Sequence, residues 1–183
     1  MGPDALLLFP GAGGDRDHHT LVALEEALGP IRVARRDFPY RRKRKGPPDR
    51  APKLIEAVVD EAAALRHAGT RALVLGGRSM GGRMCSMAVA QGLSAEGLVL
   101  LSYPLHPPGK PDRLRVDHFA DIDVPCLFVS GDRDPFGTPS EFSAAVAAIS
   151  GPVRLEWLEG QRHDPKGVDE LIVAIVADWL AGL

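Results

Sequence analysis

Ala72-Leu73-Val74-Leu75-Gly76-Gly77-Arg78-Ser79-Met80-Gly81 sets a short apolar run, a pair of glycines and a G-x-S-x-G pattern end to end. The run over 72–75 reads as a buried strand that ends at the glycines, and the spacing predicts a helix over 80–91. A serine on the turn between strand and helix has the context of a nucleophile elbow. The tight turn exposes the hydroxyl, and the small flanking residues let helix and strand approach. The N–H groups at the helix start then face any negative charge that develops beside the serine.

The rest of the chain repeats this strand-helix alternation. Strands are predicted over 5–9, 31–35, 98–103, 126–130 and 153–158, and helices over 21–28, 51–67, 140–149 and 168–180. Such an order implies a parallel sheet with helices on both faces, a three-layer αβα sandwich on six strands. Ala5–Phe9, Ala72–Leu75, Leu98–Leu101 and Cys126–Val129 are continuously apolar, as strands covered on both faces must be. Ile31-Arg32-Val33-Ala34-Arg35 and Val153-Arg154-Leu155-Glu156-Trp157 carry a charge at alternate positions, which suits edges. The second and last strands are therefore expected at the two borders of the sheet.

Composition narrows the class. A chain of 183 residues with 45% apolar and 25% charged residues is expected to form one globular domain over 1–183. No apolar stretch suits a membrane span, and no basic segment followed by a long apolar one suggests a signal peptide. A net charge of -2 gives no general pull toward nucleic acid, which is disfavoured as a partner. Cys85 and Cys126 lie in apolar contexts without metal-ligand spacing, so they read as buried reduced thiols in a cytoplasmic protein.

A nucleophilic serine needs a base, and the base needs an orienting carboxylate. Asp132 and Asp134 follow the fifth strand, and His163 follows the last, so all are expected at carboxyl ends of strands, where open α/β sheets place their sites. Asp134 is the preferred acid, with Asp132 the alternative. An oxyanion hole needs two N–H donors; Met80 after the serine and Ala12 after the first strand are the candidates, with Gly11 and Gly13 beside Ala12 as substrate contacts. Gly11-Ala12-Gly13 begins like a dinucleotide fingerprint, but Arg16 stands where the third glycine belongs. Asp15-Arg16-Asp17-His18-His19 is read as a solvated helix start with acidic residues near its dipole, not as a metal site. No metal or organic cofactor is expected.

Three stretches together resemble the α/β-hydrolase superfamily: Gly76–Arg83, Ser102-Tyr103-Pro104-Leu105-His106-Pro107-Pro108-Gly109-Lys110, and Leu127–Gly137. Within it the chain is similar to small dienelactone-hydrolase-like proteins, in a family that includes testis-expressed and NSL-complex-subunit hydrolase-like proteins. The resemblance implies Ser79, Asp134 and His163 as a triad and a first strand that corresponds to the family's third; as a departure from many hydrolases, no inserted lid domain is expected. It implies a serine hydrolase acting on small-molecule esters or thioesters, with a partner-binding protein of hydrolase fold as the alternative. Pro10 stands where many hydrolases carry a histidine.

Two further features remain. Arg35, Arg36, Arg41, Arg42, Lys43, Arg44 and Lys45 are seven of the 22 basic residues, opposed in that span only by Asp37. The segment reads as a solvated loop, with steering of an anionic substrate as the sharper alternative. The proline-rich loop from Tyr103 to Asp117 is expected to roof the site, with His106 and Tyr103 as candidate substrate contacts. Arg83 is expected to pair with a buried carboxylate.

Overall fold

The computed structural model describes residues 2–42 and 47–183. Lys43, Arg44 and Lys45 of the basic segment lie outside the described residues. Six parallel strands form one sheet in the order β2-β1-β3-β4-β5-β6: β1 Ala5–Phe9, β2 Arg32–Arg35, β3 Leu73–Arg78, β4 Gly97–Leu101, β5 Cys126–Gly131 and β6 Val153–Leu158. The two strands with alternating charge are the edges, and the four continuously apolar ones are interior. On β6 the edge charge is held in place, Arg154 donating to Glu156 at 2.7 Å and to Asp178 at 2.7 Å.

Alternate residues of the interior strands point to opposite faces. Leu7, Leu75, Leu100 and Phe128 enter one core with residues of α3 (Ala51–His67), α4 (Met80–Ala90) and α5 (Pro139–Ala145). Leu6, Val74, Val99 and Leu127 enter the other, with residues of α1 (His19–Ala27) and α6 (Asp169–Ala181). Helix α3 presents Leu54, Ile55, Val58, Ala62 and Leu65 as one buried stripe, the 3.6-residue repeat read from the sequence. A four-residue α2, Pro39–Arg42, was not foreseen. Among the described residues no helix is long and apolar enough to cross a membrane.

Two differences from the expected boundaries have physical causes. The strand expected to end at Gly76 runs on through Arg78, because Gly76 and Gly77 pair with Leu8 and Phe9 on one side and Val99 and Leu100 on the other. The glycines serve close packing inside the strand instead of ending it. The helix expected to reach residue 149 tightens into a 3-10 turn over Val146–Ala148. Its start is well fixed: Thr138 and Glu141 form a reciprocal capping box.

The crossing of α4 over β1 sets the position of the serine turn. A side chain added at Gly81 would collide with the backbone carbonyls of Phe9 and Pro10. Since backbone cannot yield as a side-chain tip can, α4 would have to lift off the sheet. Gly81→Ala is expected to destabilise the fold by about 2 kcal/mol or more, at the upper end for overpacking. A urea midpoint unchanged from wild type would contradict this packing.

Candidate active site

Ser79 stands between β3 and α4, as the helix N-cap, with φ 51 and ψ -116, a left-handed backbone that a serine adopts only under constraint. Its N–H is held by the Leu101 carbonyl of β4 at 2.8 Å, and its carbonyl accepts the first turn of α4 from Arg83 N at 3.1 Å. The hydroxyl thus stands above the carboxyl end of the sheet, where the ends of β5 and β6 also arrive.

The three expected side chains meet there. Ser79 Oγ lies 2.9 Å from His163 Nε2, and His163 Nδ1 lies 2.8 Å from Asp134 Oδ2. Asp134 has a fully buried side chain, and its other oxygen accepts from the Phe136 N–H at 2.9 Å. A carboxylate donates nothing, so His163 carries its proton on Nδ1 and leaves Nε2 as acceptor for the serine hydroxyl. Asp132, the alternative acid, makes no such contact, and its Oδ1 is buried without a partner.

Neighbours not foreseen in the sequence hold this arrangement. The Phe136 ring stacks on His163 at 4.0 Å. Arg78 reaches across from the serine turn and donates to the His163 carbonyl at 2.8 Å and to Asp164 at 2.9 Å. Burial presses the Arg78 guanidinium below its usual range, against the pull of Asp164 and Asp134. Tyr40 Oη donates to the Ala12 carbonyl at 2.9 Å, fixing the loop after β1. The motif gives the serine, with Arg78 at one of its free positions, but not the contacts these groups make, which join distant parts of the chain.

Ala12, Gly13, Ser79, Met80 and His163 line one open cleft of about 450 Å³. Met80 is the first residue of α4, so its N–H has no carbonyl within the helix. Gly11 does not line the cleft; it packs beneath the site, where an added Cβ would meet Arg78 at 3.1 Å and Ser79 at 3.4 Å.

Two expected substrate contacts are elsewhere. Tyr103 is completely buried among Phe119 and Phe128, with its hydroxyl donating to the Arg115 carbonyl at 2.8 Å. His106 is 5% exposed, donates from Nδ1 to the Pro107 carbonyl at 2.8 Å, and faces Glu141. The loop does reach the cleft, but through Pro104 and Arg115. Its first residues continue the apolar core, and that burial turns Tyr103 and His106 inward. Arg83 also departs from expectation. It lines the cleft and forms no ion pair among the described residues.

Beneath Arg83, His118 Nε2 lies 2.8 Å from the Ser86 hydroxyl, which itself donates to the Arg83 carbonyl. Burial, then the Arg83 charge, pushes the His118 pKa down from 6.5 to about 4. The group is neutral in the folded chain at neutral pH. As pH falls below 6.5 the unfolded chain takes up the proton first, so stability declines until about 4. His118→Gln, which can still donate to Ser86, is expected to shrink the loss of urea resistance between pH 7 and pH 4.5. An equal loss in both proteins would contradict this assignment.

Asp15, Arg16 and Asp17 ahead of α1 are exposed as expected, but the helix start itself carries no acidic residue, and His18 and His19 there are half-buried. His18 caps the helix, its Nδ1 accepting from Thr20 N at 3.3 Å, while Nε2 meets Asp164 at 3.0 Å. His18, His19 and Asp164 come within 4.8 Å of one another. Asp164, however, is already held by Arg78 at 2.9 Å and Lys166 at 2.7 Å, two cations a metal ion would have to face. Burial works against the Asp164 carboxylate, yet hydrogen bonds from Lys166 and His18 and the Arg78 charge keep its pKa well below the usual range. The described part of the basic segment is largely neutralised. Arg35 pairs with Asp17 and Glu25, Arg36 with Glu61, and Arg41 with Asp15. Cys85 and Cys126 are buried and unbridged, and burial pushes both thiols up, Cys126 to about 12.

A strained serine at a strand-helix turn, a histidine and a buried aspartate on a parallel sheet define a class. The alpha/beta hydrolase domain family matches residues 3–170, and the chain belongs to that family. Among solved structures it is similar to Est1E from Butyrivibrio proteoclasticus, with TM-score 0.77, 19% identity, and 99% of this chain and 88% of that one covered. The dienelactone hydrolase from Anabaena variabilis superposes with TM-score 0.76 at 17% identity, covering 99% of this chain and 87% of that one. The RedJ thioesterase of the prodiginine pathway in Streptomyces coelicolor gives TM-score 0.70 at 22% identity, over 97% and 90%. At these identities the likeness is one of fold.

Proposed function

We propose that this protein is a serine hydrolase that cleaves carboxylic ester or thioester bonds of small acyl substrates. One observation carries the reading: the unbroken hydrogen-bonded line from Ser79 through His163 to Asp134, opening onto a cleft. Ser79 Oγ attacks the carbonyl while His163 Nε2 takes its proton. The same proton passes to the departing alcohol or thiol, leaving Ser79 acylated. Water, deprotonated by His163, then releases the acid and restores the serine. Asp134 holds the imidazole in the working tautomer and stabilises its charged form. The N–H groups of Ala12 and Met80 receive the oxyanion.

The open cleft, with no lid domain among the described residues, supports small or exposed acyl groups over long chains. The dienelactone hydrolase and thioesterase names among the structural neighbours are compatible with either leaving group. The test is a panel of short-chain esters and thioesters, with free acid and leaving group measured separately. Release of both in equal amounts by wild type, with no release by Ser79→Ala, is the expected result. Acyl transfer to an added acceptor without free acid would replace hydrolysis by transferase chemistry. No turnover of either bond type by folded protein would overturn the proposal.

A further inference from the structure

Three guanidinium groups and no carboxylate line the cleft in front of Ser79. One is accounted for, because Arg78 is tied to Asp164 and to the His163 backbone. The other two, Arg83 and Arg115, form no ion pair among the described residues. The Nε of Arg83 is buried without an acceptor. Burial, then repulsion by Arg83, lowers the pKa of Arg115. Two like charges thus share one wall of a partly dry site, each losing hydration without a counter-charge. That is unfavourable for the empty protein unless an anion completes the arrangement.

Position ties this pair to the reaction. Arg83 lies one helical turn after Ser79, joined to it by the hydrogen bond of 3.1 Å from Arg83 N to Ser79 O. One turn rises about 5.4 Å, the length of a few carbon bonds. Arg115 is fixed from the other side, its N–H on the Leu105 carbonyl at 2.7 Å and its carbonyl on Tyr103 Oη at 2.8 Å. The fork of a guanidinium matches the oxygens of a carboxylate or phosphate.

We propose that Arg83 and Arg115 form an oxyanion-recognition subsite, so that the preferred substrate carries a carboxylate or phosphate a few bonds from the scissile carbonyl. The inference rests on the hydrolase reading for the word substrate, but the anion site itself does not. These arginines determine specificity; they touch the substrate's remote end and take no part in proton transfer.

The test compares two thioesters of equal chain length, S-glutaryl- and S-valeryl-N-acetylcysteamine. Wild type is expected to favour the glutaryl compound about tenfold or more in kcat/KM, chiefly through KM. Arg83→Gln and Arg115→Gln, made singly, should each lower that ratio by roughly tenfold. Arg83→Lys should recover part of it, which a purely structural arginine would not do. A wild type that prefers the valeryl compound, or a ratio unmoved in both glutamine variants, overturns the proposal. Calorimetry of Ser79→Ala with glutarate and with inorganic phosphate separates the two anion classes. Binding of either, weakened by Arg115→Gln, supports the subsite, and binding of neither contradicts it. Failure of the hydrolase reading shows instead as a Ser79 that is not activated, while the anion dissociation constants still report on the arginines.

Discussion

Ser79→Ala and His163→Ala are each expected to lower turnover of any ester the wild type cleaves by about a millionfold. The two losses should be nearly equal, and the double variant should be little worse than either. The reason is geometric. Among the described residues Ser79 Oγ has His163 Nε2 at 2.9 Å as its one base, so a serine without the histidine is a neutral hydroxyl. Residual turnover would come from the cleft and the backbone N–H donors. The variants should fold, since Ser79 N and O are held by backbone bonds that alanine keeps. Steady-state rates on one activated ester decide the matter. A His163→Ala rate within tenfold of wild type would show that another group, or none, activates the serine.

Asp134→Asn is expected to cost about ten-thousandfold in kcat with the site's shape retained. The two oxygens of Asp134 have distinct duties: Oδ1 accepts from the Phe136 N–H at 2.9 Å and Oδ2 from His163 Nδ1 at 2.8 Å. An asparagine has one acceptor. The backbone N–H of Phe136 cannot become an acceptor, so the amide oxygen stays with it and the amide NH2 turns to His163. The imidazole must then accept at Nδ1 and carry its proton on Nε2, facing Ser79 with a donor where a base is needed. The fall should appear in kcat more than in KM. A variant that keeps most of its kcat would remove Asp134 from the orienting role and reopen the case for Asp132.

The features of the fold that depend on local pattern were readable in advance. Four uninterrupted apolar strands and two with alternating charge marked the interior and the two edges of the sheet, because a strand buried on both faces excludes charge and an edge tolerates it. Gly76 and Gly77 misled because glycine marks both turns and close approach, and only the neighbouring strands show which applies. The line of three catalytic candidates was legible from their places after β3, β5 and β6. What surrounds them was not. The burial of Tyr103 and His106 follows from how residues 102–106 pack back on β5 and α5. The contacts of Arg78 with Asp164 and of Tyr40 with Ala12 join residues 86 and 28 positions apart. Arg83 was expected to find a carboxylate within the fold; the packing offers it the cleft and Arg115 instead.

Whether Ser79 is an activated nucleophile is read most directly, and without a guess about substrate, by covalent labelling with a fluorophosphonate probe followed by intact mass. Rapid single labelling of wild type, mapped to Ser79 and absent from Ser79→Ala and His163→Ala, is the expected result. Folded wild type that remains unlabelled, or labels equally well in His163→Ala, would contradict it.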